Sequence, residues 1–389
     1  MKKYDFDEPV LREGTNSLKY DACERVFGKK DILPLWVADM DFKTPDFILD
    51  ALRERLNHEV LGYTFRPESY FQSIVDWMKQ RHGWDIEKEW ISYSPGVVAG
   101  LNLVMETFTK RGDEVIVQTP VYFPFFDSVK GNGRVVLENP LKMVNGRYTF
   151  DLDDLKSKIT DKTKMLLLCN PQNPGGMVWT REELTALCEF CVEHKILIVS
   201  DEIHSDLVFE GYKHTPVPSL SEEIAANCVV CMAPSKTFNI AGLTTSFLII
   251  PNKKLFTRYE RTLNVPHLHM GNIFGHIALE TAFTKGEEWR KQLVQYLEGN
   301  FNFMVEYLRE NLPEAEPMKL EATYLAWVDF SKCGLTDEEL SKAMLEAGVG
   351  LNRGTQFGKQ GSGYMRINLG CTRAMLEEAL LRIVNVLKN

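Results

Sequence analysis

No stretch of this chain approaches the roughly 20 consecutive apolar residues that cross a bilayer, and its opening, MKKYDFDEPV, has no apolar run of the kind a secretory signal carries. A cytoplasmic location is the expectation. Basic residues are also scarce: 45 Lys plus Arg stand against 54 Asp plus Glu, for a net charge of −9, and they form no cluster. Nucleic acid, whose phosphates need a positive stripe, is therefore not an expected partner. A disulfide framework is missing as well. The eight cysteines include two C-x-x-C pairs, Cys188/Cys191 and Cys228/Cys231. The first pair lies in a segment with helical apolar spacing, and the second in a strand, where residues three apart point to opposite faces. The 36 residues between the pairs also exceed the common zinc-ribbon gap. Reduced, buried thiols are expected, and no metal site, because His267 and His269 lack a third ligand at useful spacing. No internal repeat, low-complexity tract or flexible linker interrupts the chain.

At 389 residues the chain exceeds the roughly 250–300 residues that one core usually supports, so two lobes are expected. From about residue 89 to 251 apolar strand candidates alternate with amphipathic helical stretches, the pattern of a doubly wound α/β domain. EWISYS, DEVIVQT, RVVLEN, KMLLLC, KILIVS, NCVVCMA and TSFLII are the seven strand candidates. A helix should follow SPG, and another should open at Thr180 with two glutamates behind it. Beyond about Trp289 the texture changes to a long helix, a strand in TYLAWVDF, a capped helix in TDEELSKAMLEAG, a strand in YMRINLG and a last helix.

Three polar motifs stand at the ends of apolar runs: NPQNPGG from Asn170, SDEIH ending at His204, and SK at Ser235–Lys236. In an open, mostly parallel sheet ligands bind at the carboxyl ends of the strands, so Asn173, Asp201, His204 and Lys236 should converge on one crevice. A lysine amine condenses with a carbonyl, and an acidic partner for a pyridinium nitrogen is the usual protein complement to pyridoxal 5'-phosphate (PLP). The order Asn173, Asp201, Lys236, with gaps of 28 and 35 residues, resembles the fold-type I PLP enzymes of the class I/II aminotransferase superfamily. More narrowly, REGTNSLKYD from Arg12, LWVADMDF from Leu35, GYT from Gly62, SPGVV from Ser94 and SKTFNIAGL from Ser235 resemble its cystathionine β-lyase, or C–S lyase, branch. The resemblance covers essentially the whole chain.

That resemblance implies a large PLP-binding α/β domain over 46–285 with a mostly parallel seven-stranded sheet. A smaller α+β domain would be built from 1–45 and 286–389. Lys236 would hold the cofactor and move the α-proton, Asp201 would keep the ring nitrogen protonated, and Tyr122 would stack on the ring. Asn173 and His204 fall where the family places groups beside the ring oxygen. The amides of Val97 and Val98, at a helix start, would cup the phosphate, with Ser235 and Thr244 as hydroxyl ligands. Here the sequence departs from the aminotransferase pattern, which carries an arginine near Thr244 and often a serine at Ala233. Tyr63 is similar to a tyrosine that reaches the phosphate of a neighbouring subunit, which implies a homodimer with shared sites. Arg366 matches the arginine that grips the substrate α-carboxylate, and Tyr324 and Trp327 would border the substrate.

Other signals carry less. GTQFGK from Gly354 is one residue short of a P-loop and lacks the following Ser/Thr. Asp39 and Asp41 read as a turn at the domain boundary rather than a catalytic pair. An exposed strand arginine is the competing reading of Arg366. The leading functional reading is β-elimination from a sulfur amino acid, giving pyruvate, ammonia and a thiol. An aminotransferase is the alternative, favoured less by REGTNSLKYD, LWVADMDF and GYT. A PLP-binding regulatory domain is a third reading, disfavoured because no basic helix-turn-helix fits before Tyr4.

Overall fold

The computed structural model describes residues 2–388. Its centre is a seven-stranded sheet made from the seven apolar runs: β1 (Ile91–Ser94), β2 (Glu114–Val117), β3 (Val135–Glu138), β4 (Thr163–Cys169), β5 (Leu197–Asp201), β6 (Cys228–Met232) and β7 (Ser246–Ile249). Their order across the sheet is β1-β7-β6-β5-β4-β2-β3. Only β7 runs against its neighbours; the other pairings are parallel. Both faces are covered, which is why β5, β6 and β7 are buried at every position and read as unbroken apolar runs rather than alternations.

Helix α1 (Val97–Phe108) follows β1, and α2 (Arg181–Glu193) opens on a capping box in which Thr180 and Glu183 satisfy each other's backbone amides. The long helix α3 (Glu287–Asn311) leads to a second, antiparallel sheet. Its strands are β8 (Glu316–Pro317), β9 (Leu325–Asp329), β10 (Asn352–Arg353) and β11 (Tyr364–Asn368), in the order β8-β9-β11-β10. The helix α4 (Asp337–Glu346) carries a second capping box, Thr336 with Glu339, and α5 (Arg373–Leu387) closes the described chain. The N-terminal segment joins this second unit, since Leu33–Pro34 pairs in parallel with Val349–Gly350.

The cysteines are all free, and seven are buried. Cys188 and Cys191 lie in α2, while Cys228 and Cys231 lie in β6. No group of three or more His, Cys, Asp or Glu poised to hold a metal occurs among the described residues. Among them no helix is long and apolar enough to cross a membrane.

Candidate active site

Parallel pairing sets the site. Cys169 of β4 lies opposite Asp201 of β5, which lies opposite Cys231 of β6, so the three strands end level with one another. The residues just beyond them therefore surround one cavity, of about 150 Å³. Tyr122, Asn173, Asp201, His204, Ser235 and Lys236 line it, with Val97 and Val98 at one end. Ala38, Cys169, Ile203, Thr244 and Thr245 also contribute walls; of these only Thr244 carries a sequence signal, and the others are apolar or lie outside the motifs.

Val97 and Val98 begin α1. Its N-cap, Gly96, sits at φ 100°, a conformation open to glycine and strained for other residues. No side chain caps the helix, so its first amides remain available to an anion. Gly96 is itself fixed by its amide, which donates to Ser246 Oγ at 3.0 Å. Nearby, the buried hydroxyl of Thr245 has no hydrogen-bond partner.

Asp201 is buried, and the amide of Ile203 donates to its Oδ1 at 3.1 Å. Burial pushes its carboxyl up to about 7, an effect only partly opposed by that amide and by the Lys236 charge. No ion pair within 4.0 Å holds it among the described residues, so the site would accept a cationic N–H. His204 is buried, its Nδ1 is unpartnered, and burial with the nearby cations of Lys236 and Arg366 lowers its pKa to about 3. Its imidazole is neutral at physiological pH. Lys236 Nζ donates to the carbonyl of Ala38 at 2.6 Å. Burial lowers its pKa to about 8, against the raising effect of Asp39, so an appreciable fraction of the amine is unprotonated near neutrality.

Arg366, on β11, is only 2% exposed, so the exposed-arginine reading fails. Its guanidinium donates to Asn173 Oδ1 (3.1 Å), the Trp36 carbonyl (2.9 Å) and Asn352 Oδ1 (2.7 Å), and lies over the Phe357 ring. All these partners are neutral. Burial accordingly lowers its pKa to about 10. A buried cation with no anion beside it is suited to an incoming carboxylate.

Three further expected positions do not line this cavity. Tyr324 is fully buried; its hydroxyl donates to the Ala38 carbonyl at 2.9 Å and its ring meets His204 edge-on. Trp327 is core, stacked on Tyr364 with its indole N–H donating to Tyr148. Tyr63 is 96% exposed, in a surface recess with Met270 and Phe274, outside the cavity of its own chain. Asp39 and Asp41 are more than a turn. Arg12 bonds both carboxylates, and the fully buried Lys19 pairs with Asp41 at 2.7 Å.

The profile of the family described as aminotransferase class I and II matches residues 30–383, and the chain belongs to that family. Within it, several of the more similar proteins belong to the cystathionine β-lyase branch. Cystathionine beta-lyase PatB of Bacillus subtilis is 46% identical over 381 residues, 97% of this chain and 98% of that protein. The structure of cystalysin from Treponema denticola, which contains a pyridoxal 5'-phosphate cofactor, has a TM-score of 0.96 and 34% identity, covering 100% of this chain and 99% of the other. The PLP-bound C–S lyase from Staphylococcus hominis has a TM-score of 0.91 and 35% identity, with 99% of each chain covered.

Proposed function

We propose that this chain is a PLP-dependent C–S β-lyase that releases a thiol, pyruvate and ammonia from a sulfur amino acid such as cystathionine or cysteine. The observation that carries this reading is the cavity itself. A lysine with a depressed pKa, a buried carboxylate that forms no ion pair among the described residues and an uncapped helix N-terminus surround it, and a buried arginine without an anion adjoins it through Asn173. Each lacks what a phosphorylated pyridine aldehyde or an amino-acid carboxylate would bring, so the residues present fit PLP.

When bound, PLP supplies an electron sink for the pair left at the substrate Cα. Asp201 would hold the proton on the ring nitrogen, Tyr122 would lie against the ring, and Asn173 and His204 would serve the ring oxygen. The amides of Val97 and Val98, with the hydroxyls of Ser235, Thr244 and Thr245, would take the phosphate. Lys236 would hold the cofactor, and its free amine, with its pKa lowered by burial, would take the α-proton as general base. Arg366 grips the α-carboxylate, which fixes the orientation of the Cα–H bond. A thiolate then leaves Cβ, and addition of water to the remaining three-carbon fragment yields pyruvate and ammonia. A thiolate is a tolerable leaving group, so stabilising charge at Cα is most of what the protein must do.

The same reading puts a large domain at 46–285 and a small one at 1–45 and 286–389, supported by the pairing of Leu33–Pro34 with Val349–Gly350. It also makes the active assembly a cytoplasmic homodimer in which Tyr63 serves the partner's phosphate. The exposed apolar side chains of Val60, Leu61, Tyr63 and Phe65 are consistent with burial against a second copy. The deciding experiment incubates pure protein with cystathionine, with cysteine and with an amino acid–keto acid pair, and assays thiol, pyruvate and transamination product separately. Thiol and pyruvate in equal amounts are expected. Transamination product alone would replace the lyase reading with the aminotransferase one.

A further inference from the structure

The segment 36–41 links more of this molecule than its length suggests. On one side Asn239, three residues past Lys236, accepts from the Met40 amide (3.0 Å) and donates to the carbonyls of Met40 (2.9 Å) and Phe42 (2.7 Å). Asn239 sits at φ 54°, a conformation asparagine tolerates. On another side Asn368 of β11 donates to the carbonyls of Val37 (2.6 Å) and Asp39 (2.7 Å). Arg12 and Lys19 hold it from the N-terminal segment. Its Trp36 carbonyl accepts from Arg366, and its Ala38 carbonyl accepts from both Lys236 Nζ and the Tyr324 hydroxyl.

We propose that this segment is a positioning strap for the reactive amine: the Ala38 carbonyl holds Nζ of Lys236 whenever that nitrogen is free, and Asn239 and Tyr324 are the positioning residues that fix the carbonyl. The inference rests on Lys236 being the cofactor lysine. It assigns Tyr324 to the amine rather than to substrate. It also makes carboxylate capture at Arg366 and proton transfer at Lys236 depend on one stretch of backbone.

The test uses two variants with opposite expected effects. Tyr324→Phe keeps the ring and removes one of two donors that share the Ala38 oxygen, so the amine keeps that acceptor alone and its ammonium form is favoured. Asn239→Gly keeps the backbone conformation and removes three bonds, so the carbonyl drifts and the ammonium loses its acceptor. The charged and titratable groups facing the amine, namely Asp39, Asp201, His204 and Arg366, are the same in both.

The readout on cofactor-free protein is the pH dependence of the rate of PLP uptake, followed by visible absorbance, since uptake needs the unprotonated amine. The midpoint should rise in Tyr324→Phe and fall in Asn239→Gly, each by at least about 0.3 unit, a twofold change in uptake rate below the midpoint. Loaded protein should show kcat reduced at least fivefold in Asn239→Gly, KM within twofold, and a larger isotope effect with α-deuterated substrate. Simple loosening would admit water and raise both midpoints together; that result, or unchanged midpoints, overturns the strap. Lys236→Ala protein that still forms the borohydride-reducible PLP adduct would instead sink the underlying assignment of the lysine.

Discussion

Replacing Asp201 by asparagine should make the cofactor-free protein more stable and the enzyme nearly inactive, because the buried charge we propose serves the ring nitrogen is a burden without it. Burial raises the Asp201 carboxyl from 3.8 to about 7 in the folded chain. A carboxyl whose folded pKa lies above its unfolded value favours folding only in its neutral form. Relative to a neutral residue the penalty is absent below 3.8, grows with pH and is complete above about 7. At about 1.4 kcal/mol per unit, the three-unit displacement has an upper bound of about 4 kcal/mol. Asparagine removes the charge and keeps an oxygen for the Ile203 amide. Urea unfolding of cofactor-free wild type and Asp201→Asn at pH 5.5 and 7.5 isolates the effect from any fixed packing difference. The variant's advantage should widen by about 2 kcal/mol between the two pH values. PLP should reverse the order, stabilising wild type more, and turnover in the loaded variant should fall by roughly 100-fold or more, about 3 kcal/mol of lost transition-state stabilisation. An advantage that stays flat or shrinks as pH rises would refute the reasoning, and near-native turnover would give the carboxylate another role.

Arg366→Lys should leave cofactor absorbance intact and lower kcat/KM by roughly 30- to 150-fold, the loss of about 2–3 kcal/mol when a bidentate, charge-assisted contact becomes a single one. Steady-state kinetics decide it, and an unchanged KM with a residual carboxylate requirement would move the carboxylate site elsewhere. Tyr63→Phe should weaken PLP binding, and mixing that chain with Lys236→Ala should restore activity in hybrid dimers to roughly half that of a wild-type dimer, since one site recovers both residues. Stable hybrids as inactive as their parents would confine Tyr63 to its own subunit.

The crevice was legible because its chemistry is punctuated by local pattern. Asn173, Asp201 and Lys236 each lie at or just past the end of an apolar run, and parallel strands that end level must present such residues together. The capping boxes at Thr180 and Thr336 were readable for the same reason, since each is decided within four residues. What the pattern could not reveal depends on contacts across long spans of sequence. Arg366 was ambiguous because alternation along β11 sets which side of the sheet it faces but not what covers that side; Asn173 and Trp36 cover it, 193 and 330 residues away. The bonds from Ala38 to Lys236 and to Tyr324 span 198 and 286 residues, and alanine has no side-chain chemistry to draw attention to a backbone carbonyl. Asp39 and Asp41 looked like turn residues for a related reason. Two acids two apart are common in turns, and only the approach of Arg12 and a wholly buried Lys19 makes them an anchor. A buried Lys19 is itself informative, because an ammonium withdrawn from water is costly unless paired. Truncating Lys19 should therefore lower stability, read by urea unfolding, more than truncating an exposed lysine does, because Asp41 is left with Arg12 as its remaining cationic partner; equal losses would refute the anchor.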